Sequence, residues 1–167
     1  MVNFLLLALA FSLAHAHDFA ELQGKWYTIA IAADNLKKIE AGGQLRIYIR
    51  HLGCNEKCSE MEVTFYVNVN NQCSKTKVTG YLQTDKDYQT QFEGNNRFQP
   101  VYITSDKIFF TNTNVDRAGQ ETNMIVVVGK GNALTPEEHE KLVQFAHEKK
   151  IPVENILNIL ATDTCPE

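Results

Sequence analysis

Basic runs, metal-ligand spacings and a second long apolar stretch are all missing from this sequence. Lysine and arginine number 16 against 20 aspartate and glutamate, for a net charge of −4, and never stand more than two in a row. A nucleic-acid partner is therefore not expected, since such binding needs a basic footprint. Past residue 16 no apolar run approaches the ~20 residues that a membrane-spanning helix requires, so no membrane insertion is expected. The Cys54-x-x-x-Cys58 pair has no matching second pair and no histidine at finger spacing, which leaves no zinc motif and no cofactor to expect. There is no N-x-[ST] acceptor for an N-glycan, and only one tryptophan, Trp26.

What is present begins with the first sixteen residues. Phe4 to Leu13 is nearly unbroken apolar sequence, and Ala14-His15-Ala16 has the form of a cleavage site. Residues 1–16 are expected to be a secretory signal peptide, cut before His17, with residues 17–167 forming one secreted, extracellular domain. Four cysteines in that part, Cys54, Cys58, Cys73 and Cys165, suit an oxidising compartment and two disulfides. Spacing alone leaves all three connectivities open. A hydrophobic content of 44% argues against disorder.

Beyond the leader, the chain alternates. Trp26 to Ala33 reads as a strand. In "QLRIYIRH", Leu45, Ile47 and Ile49 share one face while Arg46, Tyr48 and Arg50 share the other. "MEVTFYVNV" sets Met61, Val63, Phe65 and Val67 against polar partners, and Asn70-Asn71 supplies a turn. "SKTKVTGYLQT" follows, with Gly80 expected at a bend or bulge. Then come "DYQTQFEG", "QPVYITS", "KIFFTNTN" and "ETNMIVVVGK". A single helix is signalled by Thr135-Pro136-Glu137-Glu138, a capping box with proline at the first helical position. The expected fold is all-β: an eight-stranded antiparallel up-and-down barrel with one C-terminal α-helix packed outside. Pattern alone leaves a β-sandwich open as the rival.

Gly24-Lys25-Trp26, opening the first strand of such a chain, resembles the G-x-W motif of the lipocalin family. Asn114-Val115-Asp116 is similar to that family's second motif, and Lys130 stands where an arginine usually packs on the tryptophan. "FEGNN", "ITSDKIFFTN" and the C-terminal "HEKKIPVENILNILATDTCPE" extend the likeness to the odorant-binding lipocalins over essentially the whole chain. The resemblance implies a carrier of small hydrophobic volatile ligands, odorants or pheromones, inside the barrel. It implies structural roles for Gly24, Trp26 and Lys130, and the pairing Cys54–Cys58 with Cys73–Cys165.

The working surface of such a carrier is its inward face. Alternation selects Leu45, Ile47, Ile49, Val63 and Phe65. Where both faces are apolar, the resemblance selects Phe110, Asn112, Met124, Val126 and Val128, together with Ile31, Thr90 and Phe92. It puts Asn96 and Phe98 near the mouth. Asn96 and Asn112 are the groups expected to meet a ligand carbonyl or hydroxyl, and Met124 suits varied shapes. No catalytic site is expected: His51, His139 and His147 form no recognisable constellation. Two alternatives are weighed. In one, the polypeptide is itself a cue for a chemosensory receptor. In the other, it is a lipocalin-type isomerase, which needs an unpaired inward cysteine as nucleophile.

Overall fold

The computed structural model describes residues 23–167; the expected signal peptide and residues 17–22 lie outside the described residues. Ten strands form one antiparallel sheet. They are β1 (Gly24–Lys25), β2 (Tyr27–Ala33), β3 (Ile47–Cys54), β4 (Glu60–Val69) and β5 (Gln72–Leu82), then β6 (Tyr88–Gln91), β7 (Asn95–Ile103), β8 (Lys107–Val115), β9 (Glu121–Gly129) and β10 (Ile156–Asn158). Their spatial order is β1-β3-β4-β5-β6-β7-β8-β9-β2-β10. Because β1 and β2 are one stretch of chain interrupted at Trp26, both ends of the meander return to it, and the sheet curls into a barrel. The eight expected strands are β2 to β9. The count of ten arises from the break at Trp26 and from β10, a short strand added against β2 after the helix.

Turn chemistry sets the register. Asn70 and Asn71 have φ of 53° and 63°, so both occupy the left-handed region that a two-residue hairpin between β4 and β5 demands. Asparagine tolerates that region better than most side chains. Gly80 is not at a bulge: it pairs in regular register with Met61. Its reason is a close approach, because a Cβ there would lie 2.6 Å from Phe98 Cζ.

Two apolar clusters divide the interior. The larger fills the barrel around Trp26, Ile49, Phe65 and Met124. The smaller lies outside the sheet, where Ala32, Phe109, Ile125 and Val127 are covered by Leu142 and Ala146 of helix α1 (Pro136–Glu148). That second cluster explains why "KIFFTN" and "NMIVVV" are apolar on both faces: one face lines the barrel and the other seats the helix. Thr135 and Glu138 complete the capping box by exchanging backbone hydrogen bonds of 3.1 and 2.8 Å. Glu138 also pairs at 3.4 Å with Lys107, a buried cation on β8 that joins the helix start to the sheet.

The barrel has two unlike ends. At one, fully buried Trp26 is capped by Lys130, whose Nζ sits 3.7 Å from the indole centroid and donates to the Lys25 carbonyl. Burial holds the Lys130 ammonium below the usual lysine range. At the other end lie segment 34–46, the β4–β5 and β6–β7 turns and the 116–120 turn. Residues Asn114 to Asp116 therefore sit far from Trp26, and Asp116 instead pairs with Lys38 at 3.2 Å. Segment 34–46 is also pinned by Asp34 to Asn123, and it buries Ile39 completely in the barrel cluster.

The tail closes against the outer face of β3. Arg50 makes a bidentate pair with Asp163, 2.7 Å on each arm, and donates to the Pro166 and Cys165 carbonyls. Arg46 reaches Thr162 and the Ile39 carbonyl. Arg46 is thus buried beneath the last turn of chain and Arg50 half-buried, so the face opposite Leu45, Ile47 and Ile49 is covered. Both disulfides form as the resemblance implied, Cys54–Cys58 and Cys73–Cys165. The second spans 92 residues of sequence. In the chain-entropy account a link of that length contributes about 4–5 kcal/mol.

Candidate functional site

Inside the barrel, between the two ends, is a cavity of about 90 Å³. It takes Leu45, Ile47, Ile49 and Leu52 from β3 and the residues before it, Val63 and Phe65 from β4, and Val78 from β5. Thr90, Phe92, Asn96 and Phe98 come from β6, β7 and their turn, Phe110 and Asn112 from β8, and Met124 and Val126 from β9. Only Thr90, Asn96 and Asn112 are polar, and none of the lining residues carries a charge. Such a hollow favours a neutral apolar guest, because a buried ion would have no counter-charge.

Two residues expected at the site are elsewhere. Ile31 and Val128 are fully buried in the barrel cluster but do not line the cavity. Two lining residues escaped the sequence. Alternation through 45, 47 and 49 points next to His51, but the pairing of β3 with β4 shifts between Ile49 and His51, and Leu52 turns inward instead. Val78 lies on a strand whose polar composition gives little alternation to follow.

Aromatic rings shape the walls. Phe65 meets Phe92 edge-on at 4.9 Å, and Phe98 is held between Tyr88, stacked at 5.5 Å, and Phe110 at 6.3 Å. Tyr88 donates its hydroxyl to the Cys58 carbonyl, and burial raises its pKa above the usual phenol value. The polar part of the wall is a row of amides. Asn96 Nδ2 donates to the Phe92 carbonyl at 2.7 Å, and Asn96 Oδ1 accepts from Asn112 and Asn114 at 3.1 and 3.0 Å. Asn112 Oδ1, Asn114 Oδ1 and Thr122 Oγ1 are buried with no hydrogen-bond partner among the described residues.

A closed antiparallel barrel, plugged by one indole and hollow above it, with a single helix outside, defines a small-molecule binding protein. The model of the lipocalin / cytosolic fatty-acid binding protein family matches residues 23–163, and the chain belongs to that family. It is 81% identical to aphrodisin of Cricetus cricetus over 167 residues, the whole of both chains. It is 71% identical to an odorant-binding protein of Phodopus sungorus over 151 residues, 90% of this chain and all of the relative. Among solved structures, that of aphrodisin, described as a sex pheromone from female hamster, superposes with a TM-score of 0.86. It is 80% identical and covers 87% of this chain and 99% of its own. Bovine odorant-binding protein in complex with undecanal superposes at 0.64, with 28% identity, covering 89% of this chain and 95% of its own.

Proposed function

We propose that this protein is a secreted carrier that takes small hydrophobic volatile molecules, odorants or pheromones, reversibly into its barrel. The observation that carries this reading is the uncharged, largely apolar cavity closed at one end by Trp26 and Lys130. Removing apolar surface from water supplies roughly 25 cal/mol per Å², which a guest of this kind gains without a specific polar match. The cavity-lining residues are the proposed ligand contacts, with Ile31 and Val128 supporting them from behind. The names of the relatives and the undecanal complex of the bovine protein support the same class of guest.

Residues 1–16 act in this reading as the secretory signal and 17–167 as the mature extracellular domain. The leader's pattern and the two disulfides support that placement. The chain acts as a binder, not an enzyme. An isomerase of the kind weighed above would need an unpaired thiol, and all four cysteines are in disulfides.

Calorimetric titration with undecanal tests the proposal. One equivalent is expected to bind, and Val63→Phe and Val126→Phe, which fill the cavity, are expected to block it. No binding to the folded protein, or equal binding by the filled variants, would remove the barrel as the site. A second reading, in which the polypeptide itself is the cue for a chemosensory receptor, draws on the description of aphrodisin as a sex pheromone. Comparing ligand-stripped with loaded protein in a receptor assay separates the two, since equal responses favour the polypeptide.

A further inference from the structure

Segment 34–46 folds as one body over the end of the barrel opposite Trp26. Its own bonds tie it together: the Glu40 N–H donates to the Leu36 carbonyl at 2.9 Å, Gly43 to Glu40 at 2.7 Å and Leu45 to Lys38 at 2.8 Å. Two side-chain ties that meet solvent hold it to the strands, Asp34 to Asn123 and Lys38 to Asp116. Water and salt weaken ties of that kind. A third tie is buried. The Arg46 guanidinium donates to the Ile39 carbonyl at 2.9 Å, to the Tyr48 hydroxyl at 2.9 Å and to Thr162 Oγ1 at 2.6 Å. Its planar fork thus joins the middle of the segment, β3 and the C-terminal tail in one fixed geometry.

Each arm of that fork ends on something held. Ile39 is fully buried in the same apolar cluster as Leu45 and Ile49 of the cavity wall, so lifting it parts its carbonyl from Arg46. Thr162 belongs to a tail that Asp163 ties to Arg50 and Cys165 ties to Cys73. Arg46 itself does not line the cavity. We propose that Arg46 is a positioning residue for guest exchange: it passes the order of the C-terminal tail to Ile39, so that the tail sets how fast a guest crosses segment 34–46. This rests on the carrier reading and adds a route and a rate to it. The fork bonds Ile39 in the same way whether the cavity is empty or full. Loosening it therefore speeds entry and exit by the same factor and leaves Kd where it was.

The test measures undecanal exchange by NMR on the half-loaded protein, with Kd taken from calorimetry. Thr162→Val removes the tail's acceptor at nearly constant shape and is expected to raise both rate constants about fivefold. Arg46→Met, an apolar chain of similar length, is expected to raise them about tenfold. Adding Thr162→Val to Arg46→Met changes nothing further, because the two residues act in series. Kd stays within about twofold throughout. Thr135→Ala is the control, since it weakens the helix cap on the outer face and should leave both rates as they are. Wild-type rates in Thr162→Val and Arg46→Met, equal acceleration by Thr135→Ala, or faster exit with unchanged entry would each overturn the inference and leave the carrier reading standing. If the wild-type chain binds no undecanal, both fall together.

Discussion

Replacing Gly80 by alanine adds a single methyl group where the barrel wall has least room. The new carbon would stand 2.6 Å from Phe98 Cζ, 2.9 Å from Cε1 and 3.1 Å from Tyr88 Cβ, whereas ordinary contact begins near 3.4 Å. The Phe98 ring must retreat by the difference, about 0.8 Å. Tyr88 stacks on it at 5.5 Å and Phe110 stands 6.3 Å away, so the ring yields into the cavity that it lines. Overpacking of this kind costs about 1–3 kcal/mol, offset by roughly 0.4–1 kcal/mol from the stiffer unfolded chain. A net loss of about 1–2 kcal/mol is expected in urea unfolding followed by Trp26 fluorescence. In a series of straight-chain alcohols, each methylene that no longer fits loses ~0.8 kcal/mol, roughly fourfold in Kd, so the optimum moves to shorter chains. Adding Phe98→Leu makes room for the methyl, and the double variant should be more stable than the sum of the single changes allows. An unchanged unfolding midpoint and an unchanged chain-length optimum would refute the assignment of Gly80 to this close approach.

Phe110→Ala removes a buried wall ring, and a loss of about 3–5 kcal/mol with a shift toward bulkier guests is expected from denaturation and a ligand panel. Thr122→Val deletes a buried hydroxyl that has no partner among the described residues, at nearly constant shape. Stability should hold or rise by up to about 1 kcal/mol, and a clear loss in the urea midpoint would reveal a hidden partner. Asp163→Ala strips Arg50 of its bidentate carboxylate while leaving the tail tethered through Cys165, for an expected loss of about 2 kcal/mol by thermal unfolding. The Gln120 backbone N–H, with help from Lys38 and the Ala118 N–H, holds the Asp116 carboxyl below its ordinary value of 3.8. Its stabilising contribution is thus present above that value and is lost as pH falls through the depressed one. A carboxyl-carbon NMR titration should find the midpoint below 3.8, and Lys38→Ala should raise it.

Alternation was a sound guide wherever one face of a strand is polar. The segments carrying Leu45, Ile47, Ile49, Val63 and Phe65 needed nothing more than period two. On β8 and β9 it had no purchase, because the helix makes the outer face as apolar as the inner, and family resemblance had to choose. Ile31 and Val128 lie in the barrel cluster without lining the cavity: facing inward is a property of the strand, while touching a hollow depends on how neighbouring residues fill the space. Leu52 was hidden by a bulge, which moves alternation by one residue without any mark in composition. The row of amides was beyond reach for a different reason. Asn96 and Asn112 are sixteen residues apart in sequence, and which atom each presents depends on a carbonyl in a turn.

The anchored carboxyl end bears on how this molecule can be handled. Glu167 accepts a hydrogen bond from the Tyr27 hydroxyl, two residues behind it is the disulfide to Cys73, and Arg50 grips the carbonyls between. Pro166 and Glu167 are themselves exposed, so a peptide joined there can leave toward solvent, provided that it keeps these ties in place. A fluorophore or sensor surface coupled through Lys86, exposed in the β5–β6 turn beside the plugged end, would leave both the tail and the opposite rim untouched.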